Sequence, residues 1–487
     1  MILKRQHSQI SRLMLASGGM KAVSRKAVLL GSMLGVIAML PHSAAAQSKT
    51  LQDALAASYS NNPALQAARA LLRATDEGVP TALAGWRPTV ILQASGGPAF
   101  GTQSALSGGI DINSKQGRAL SSATGTVTQP IYTGGKTVAS TNKATNLVYS
   151  QRAKLIAAEE QLFANVVSAY VGVIQAQDIL ALDVNNEQVL ARQLQATNDR
   201  FRVGEITRTD VAQAEAALAG AAATRQTAEG NLQVARATYQ QYVGEVPGTL
   251  VDPQPLKLPA KTLEDAKTLA SDNNPTVIAA EFQNASDKDN FDLQYSALMP
   301  NVNLQASGGY TQNSTQEGVK TREAQIIASL SVPLYQGGAE YSAIRQARQS
   351  EQQSHKLIDD AKRTAVQQAI SAWETYEAAK STIDSTRSQI RSNQIALEGT
   401  QREAIVGSRT TLDVLNAEQL LLNSRTTLVQ NLAALVTASY QVSAAVGRLT
   451  ARDLALQVPY YDETAYFDSV RNRLMGTGDY ATGQPGR

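Results

Sequence analysis

Two aspartates in matching contexts are the residues of this sequence most able to carry chemistry. Asp210 and Asp413 each follow a threonine by three positions, within two similar segments: VGEITRTDV at 203–211 and VGSRTTLDV at 406–414. Such spacing is that of a capping box, in which a hydroxyl and a carboxylate satisfy free backbone amides at a helix start. Capping explains both aspartates, but it leaves open a further role for either carboxylate in an assembly of several chains.

Other chemistry has little support in the sequence. The absence of cysteine excludes disulfides, thiol nucleophiles and cysteine-type zinc sites. After residue 46 the only histidine is His355, so a Ser-His-Asp arrangement would have to use it. The stretch TGGKTV at 133–138 imitates the end of a phosphate loop, but Pro130 stands where the first glycine is required, which favours a strand-to-helix bend. We therefore expect no catalytic residue, no metal and no cofactor.

Residues 1–46 have the character of a secretory signal peptide. Six basic residues precede the apolar run 27–40, and Ala44 and Ala46 satisfy the small-residue rule for cleavage before Gln47. Because this segment holds six positive charges and no acidic residue, the formal net charge of +3 becomes 3 − 6 = −3 for the mature chain. No basic stripe remains, so nucleic-acid binding is not expected. We also expect no transmembrane helix after residue 47.

The remaining chain reads as two tandem repeats. LQDA at 51–54 matches LEDA at 263–266, and NNP and LQASGG recur at the same offset of 212. QPIYTGG at 129–135 resembles VPLYQGG at 332–338, an offset of 203. We predict repeat 1 over 47–243 and repeat 2 over 262–450, joined by a proline-rich linker at 244–261. The C-terminal segment 451–487 follows, and its end, GTGDYATGQPGR, is predicted to be disordered.

Long helices must position the two aspartates. Heptad spacing predicts coiled-coil helices over about 137–243 and about 338–447. In the first of these the spacing includes Val166, Val173, Leu180, Leu194 and Phe201, and in the second Tyr376, Ile383, Ile390, Leu397 and Ala404. The stretch from Thr137 to Arg202 contains no proline, so a single helix there could be about 100 Å long.

Each repeat also contains one predicted β-hairpin, at about 88–133 and about 299–336. Apolar and polar residues alternate in both, and the Gly- and Ser-rich connections around 102–118 and 312–322 suit exposed loops. Alternation alone fits a half-buried soluble sheet as well as a membrane sheet of tilted strands. In lipid, however, four strands leave costly open edges, so closure requires copies: eight strands in a dimer or twelve in a trimer.

In these features the chain resembles the TolC-like outer-membrane efflux proteins, from about Leu51 to Gly447. The resemblance rests on the repeated NNP segment, the VPLYQGG junction, and the segments RFRVGEITRTDV and VGSRTTLDVLNA. It implies a mixed α and β fold and a homotrimer, with a twelve-stranded outer-membrane barrel that continues as a helical tunnel through the periplasm. It also implies a duct for small molecules or proteins, served by a periplasmic adaptor and an inner-membrane pump of RND or ABC type.

The resemblance further implies a gate at the periplasmic end. Asp413 would form a ring of three carboxylates around the pore, where like charges raise one another's pKa and attract cations. Arg409 would be a latch to Thr209 and Asp210 of a neighbouring hairpin.

Two further features concern the same ends. Gly204 and Gly407 fit the ends of the long helices, where a left-handed residue commonly stops the helix. The resemblance implies that these tips contact the adaptor. The chain departs from the family pattern at Asn416, where a second aspartate is usual, and at Ala404, where a tyrosine is usual. These departures put one charged ring and one latch hydrogen bond in question.

A different class of protein also fits the heptads. A secreted, soluble coiled-coil scaffold or adhesin would need no barrel and would not fractionate with outer membranes. We predict the outer-membrane export duct, with no enzyme activity. The transported substrate and the identity of the adaptor and pump do not follow from the sequence.

Overall fold

The computed structural model describes residues 49–314, 316–481 and 483–485, so the predicted signal peptide lies outside the described residues. The helices in chain order are α1 (Leu51–Asn61), α2 (Pro63–Asp76), α3 (Gly78–Leu83), α4 (Lys136–Arg202), α5 (Arg208–Val243), α6 (Leu263–Asn273), α7 (Pro275–Tyr295), α8 (Ala339–Ile405), α9 (Thr411–Ala445) and α10 (Ala465–Val470). The strands are β1 (Thr89–Ser107), β2 (Ile110–Tyr132), β3 (Asn301–Gln312) and β4 (Lys320–Ser331).

Two helical hairpins dominate the chain. Hairpin 1 consists of α4 and α5, and hairpin 2 consists of α8 and α9. The outgoing helices α4 and α8 have 67 residues each, which corresponds to about 100 Å. Both agree closely with the predicted helix limits.

The repeated NNP segments explain how each pair of short helices is attached to a hairpin. The Asn62 side-chain oxygen accepts from Ala64 N at 2.9 Å and caps α2, with proline at its first position. The Asn62 amide also donates to Tyr242 O, near the end of α5, at 3.0 Å. Asn274 caps α7 in the same way and donates to Ala445 O at 3.0 Å. One side chain therefore starts a helix and fastens it to the returning helix.

The four strands form one antiparallel sheet in the order β1-β2-β3-β4. In the second connection, residues 313–314 and 316–319 form a loop as predicted, but most of the expected first loop, 102–118, is strand. There β1 and β2 stay paired as far as Ser107 and Ile110, and only Gly108 and Gly109 form the turn. Small residues are compatible with a ladder whose hydrogen bonds come from the backbone, so composition alone placed this loop incorrectly.

The main core lies where α1, α2, α4, α5 and α9 meet. Phe163, Val166, Val167 and Tyr170 of α4 are fully buried there. The Tyr170 hydroxyl lies 2.8 Å from Lys49 O and 2.7 Å from Val251 O, which ties the first described residue and the linker to the helices.

Helix α4 differs from two sequence expectations. An 18-residue window of it is apolar enough, with mean hydropathy 1.2, to cross a membrane by length and composition, but core helices pass the same test. The heptad prediction also changes near the end of hairpin 1, where Phe201 is 42% exposed and the buried positions are Leu190 and Thr197. The seam shifts because the side chains facing α4 come from both α5 and α9.

Candidate functional site

The end of hairpin 1 is built by a glycine stop and a capping box. Gly204 has φ 80°, and the amides of Gly204 and Glu205 donate to Phe201 O and Arg200 O, each at 3.0 Å. This is the Schellman arrangement, which closes the last turn of a helix and needs a left-handed residue. The chain then re-enters a helix at Thr207.

The end of hairpin 2 has the same backbone geometry. Gly407 has φ 81°, and the amides of Gly407 and Ser408 donate to Ala404 O at 3.3 Å and Glu403 O at 3.0 Å. The next helix begins after Thr410. The two predicted tips are therefore turns of one design at the ends of different hairpins.

Both aspartates act as helix caps. Asp210 Oδ2 accepts from Thr207 N at 2.9 Å, and Asp210 N donates to Thr207 Oγ1 at 3.3 Å. Asp413 Oδ2 accepts from Thr410 N at 2.9 Å, and Asp413 N donates to Thr410 Oγ1 at 3.2 Å. The capping role predicted from the spacing is present at both ends.

The caps keep the two carboxylates ionised. The Thr207 hydroxyl and amide hold the pKa of Asp210 below its usual range, and the Thr410 amide and hydroxyl do the same for Asp413. The mutual rise in pKa expected for a ring of carboxylates requires the other copies. In one chain each carboxylate is a fixed negative charge.

Each hairpin end also carries an ion pair that we did not predict. Arg200 Nε lies 3.1 Å from Glu205 Oε2 on hairpin 1. Arg409 Nε lies 3.0 Å from Glu403 Oε2 on hairpin 2. The hydrogen bond from Arg409 to Glu403 raises the pKa of the guanidinium, since the carboxylate favours its charged form.

Arg409 and Asp210 are not brought together within one chain. Among the described residues, the ion-pair partner of Arg409 is Glu403, and Thr209 is exposed. Near these ends the two hairpins contact each other, because Leu415 of α9 packs in one cluster with Leu190 and Ala221 of hairpin 1.

The two departures from the family pattern occupy different environments. Ala404 is buried inside hairpin 2 with Val414 and Leu421, so it contributes packing and no side-chain hydrogen bond. Asn416 is exposed on the first turns of α9. The single charged group that α9 presents beside the turn is Asp413.

Other candidate chemistry finds no support in the described part of the chain. His355 is exposed on α8, and no group of three metal-binding side chains occurs among the described residues. The TGGKTV stretch lies at the junction of β2 and α4, as the bend interpretation predicts. The charges at the hairpin ends are therefore the features to compare with known proteins.

Comparison with known proteins covers most of the chain. A sequence model of the family described as outer membrane efflux protein matches residues 50–245 and 268–448. The outer membrane efflux protein BepC of Brucella suis is 32% identical over 439 residues, which is 89% of this chain and 92% of that protein. The outer membrane protein TolC of Escherichia coli is 27% identical over 319 residues, covering 61% of this chain and 63% of TolC.

A solved structure agrees at the level of the fold. The CmeC outer membrane channel of Campylobacter jejuni superposes with a TM-score of 0.72 over 82% of this chain and 85% of CmeC, at 15% identity. Family membership decides against the secreted coiled-coil scaffold that heptads alone permit. With both halves matched and the channel fold present, this chain belongs to the outer membrane efflux protein family and is an outer-membrane efflux channel.

Proposed function

We propose that three copies of this chain close one twelve-stranded barrel in the outer membrane. The observation that carries this proposal is the composition of the sheet. Residues paired across the four strands form rows, and the rows on one face differ in polarity from those on the other. Cross-strand pairing places Val90, Val127, Ala306 and Ile326 in one row. The adjacent row on the other face contains Ile91, Thr126, Ser307 and Gln325. One face is apolar and the other is largely polar, as in a barrel wall between lipid and a water-filled channel.

The exposed apolar side chains and free edges require partners. Val90 and Leu92 on β1 are 75% and 80% exposed, and Ile326 and Leu330 on β4 are 74% and 67% exposed. In lipid this exposure is favourable, whereas the open outer edges of β1 and β4 are not. Pairing of β1 with β4 of the next copy satisfies both edges, and three copies give the twelve strands implied by the family resemblance.

In this assembly the two hairpins of each copy form the wall of a periplasmic tunnel. We propose that hairpins 1 and 2 are the cores of two tandem repeats, which is supported by their equal outgoing helices and matching ends. The tips at Gly204 and Gly407 then face a periplasmic adaptor that connects the duct to an inner-membrane pump. Substrates leave through the tunnel without chemical change.

The proposed gate lies at the hairpin ends. Asp413 of three copies forms a ring of negative charge, and Arg409 forms a latch to Asp210 and Thr209 of a neighbouring copy. Within one chain Arg409 pairs with Glu403, so a contact to Asp210 would come from a neighbouring copy. Since Asn416 carries no charge, the ring has one carboxylate per copy.

The mass of the purified protein tests this assembly. We expect native mass spectrometry in detergent to give three times the mass of the mature chain, and planar bilayers to show ion-conducting pores. A monomeric or dimeric mass that conducts equally well would overturn the twelve-stranded barrel. A protein that never conducts, although it is trimeric, would overturn the duct.

A further inference from the structure

The ion pairs at the two hairpin ends have opposite polarity. Arg200 and Glu403 occupy the same position in the last turn of α4 and of α8, three residues before the cap. Their partners, Glu205 and Arg409, lie in the turns. Hairpin 1 therefore has its positive charge on the helix and its negative charge in the turn, and hairpin 2 has the reverse.

Both pairs are weak enough to be exchanged. The side chains of Arg200 and Glu205 are 38% and 58% exposed, and those of Arg409 and Glu403 are 54% and 52% exposed. Ion pairs between exposed side chains contribute little to stability because water solvates the separated charges well. A hairpin end can therefore lose its own ion pair without unfolding.

We propose that the gate closes by an exchange of ion-pair partners between copies. In the open state Arg409 pairs with Glu403 and Arg200 pairs with Glu205, as in the single chain. In the closed state Arg409 reaches Asp210 of the neighbouring copy, and the released Glu403 pairs with Arg200 of that copy. This inference rests on the proposed gate and adds Arg200 and Glu403 to it as a second latch.

The geometry of the ends makes the second pair follow from the first. Asp210 lies in the first turn of α5, beside the turn that holds Glu205. When Arg409 comes level with Asp210, the last turns of α4 and α8 stand at one height. Arg200 and Glu403, which occupy equivalent positions in those turns, then face each other.

The exchange keeps the number of ion pairs constant. Two pairs are broken and two are formed, and Glu205, the most exposed of the four side chains, returns to water. The open and closed states should therefore differ little in free energy. An adaptor that binds one of them more tightly can then shift the population toward that state.

A charge-reversal cycle measures the second latch. Arg200→Glu and Glu403→Arg each replace an attraction by a repulsion in both states: with Glu205 or Arg409 in the open state, and between positions 200 and 403 in the closed state. Each single variant should therefore change the open-to-closed ratio by less than about twofold. The double variant R200E/E403R restores the closed-state pair in reversed sense, but it places like charges within each hairpin in the open state. We expect its conductance to fall below the wild-type level.

A matched control uses a neighbouring pair. Arg402 and Glu398 lie 3.9 Å apart on α8 and are also exposed, so R402E/E398R should leave conductance unchanged. Additive effects of R200E and E403R would overturn the second latch. If Arg409→Ala still opens the pore in that case, the gate itself stands; if Arg409→Ala is also silent, the proposed gate fails.

The natural absence of cysteine permits an independent test. R200C/E403C, treated with a short bifunctional thiosulfonate, should give dimers and trimers on a denaturing gel and a low conductance that a reductant reverses. R202C/E403C is the control, since Arg202 lies on another face of α4. Cross-linking only within one chain, or equal cross-linking of the control, would overturn the exchange between copies.

Discussion

At the scale of single residues, the hairpin ends separate local from long-range chemistry. Asp210 and Asp413 cap helices through neighbours three positions away, so their spacing was sufficient to predict these contacts. The ion pairs of Arg200 and Arg409 reach across a turn whose exact shape the sequence does not state. When the repeats are aligned at the offset of 203, Arg200 is matched by Glu403. This reversal of side-chain charge at equivalent positions was the sequence signal that could have identified the two ion pairs.

Replacing Arg409 tests the first latch. We expect Arg409→Ala to raise single-channel conductance or open probability about two- to fivefold, because the closed state loses contacts to both Asp210 and Thr209, whereas the open state loses only the exposed pair with Glu403. Arg402→Ala, which removes an exposed arginine from the last turn of α8, should have no effect. An unchanged conductance in both variants would contradict the latch.

Replacing Asp413 separates its two roles. Asp413→Ala should abolish block of the pore by multivalent cations and should also destabilise α9 by roughly 1 kcal/mol through the lost cap. Asp413→Asn keeps a side-chain oxygen for the Thr410 amide, so it should lose the block with a smaller change in stability. Bilayer recordings and thermal unfolding measure the two effects. Asp265→Asn, at the equivalent cap of α6, is the control and should leave the block intact.

At the scale of elements, the C-terminal segment is the largest difference from expectation. It contains α10, and its residues Ala451, Leu456 and Tyr461 are buried in the main core. The end of the chain, predicted to be disordered, folds back in the described residues: Arg473 stacks on the Tyr480 ring at 3.7 Å, and Ala481 is buried. Its glycines and other small residues are typical of a flexible tail. In the structure, aromatic and backbone contacts hold the described part of this segment against the rest of the chain.

Truncation at two points tests how much of this segment the fold needs. A chain ending at Met475 keeps the contacts of Leu449 to Val470 and should assemble normally. A chain ending at Arg448 removes several buried apolar side chains, and it should lose roughly 5 kcal/mol or more of stability and yield little trimer. Detergent-resistant trimer on gels measures assembly, and equal trimer yields from the two chains would contradict the structural role of 449–475.

At the scale of the whole molecule, buried acids link stability to pH. Glu160 of α4 accepts from Leu449 N at 3.2 Å, and burial raises its pKa to about 8. Asp76 of α2 is fully buried, with no hydrogen-bond partner for its oxygens among the described residues, and burial raises its pKa to about 7 despite Arg152 and Arg73 nearby. Glu160 joins two segments that are far apart in the chain.

The raised pKa values predict a direction for the stability of the protein with pH. Each of these two carboxyl groups keeps its proton in the folded state but loses it at pH 4 to 5 in the unfolded chain. The free energy of unfolding should therefore fall between about pH 5 and pH 8, by about 1.4 kcal/mol per pH unit for each group. Glu160→Gln keeps an acceptor for Leu449 and should flatten this dependence. Thermal unfolding at pH 5, 7 and 9 measures it, with exposed Glu398→Gln as control. A wild-type midpoint that rises with pH would contradict the role of these acids.

The sequence by itself determined the parts of this protein that depend on near neighbours. Capping boxes, the Asn-Pro helix starts, the glycine turns and the strand alternation each involve residues a few positions apart, so their spacing predicted the hairpins and the family resemblance. Only the tertiary structure decided which partners meet across long separations. The Glu160 carboxylate meets the Leu449 amide 289 positions away, and Leu415 of α9 packs with Leu190 of α4. These contacts depend on the axial register in which helices of about 100 Å pack against one another. Local sequence patterns do not determine that register.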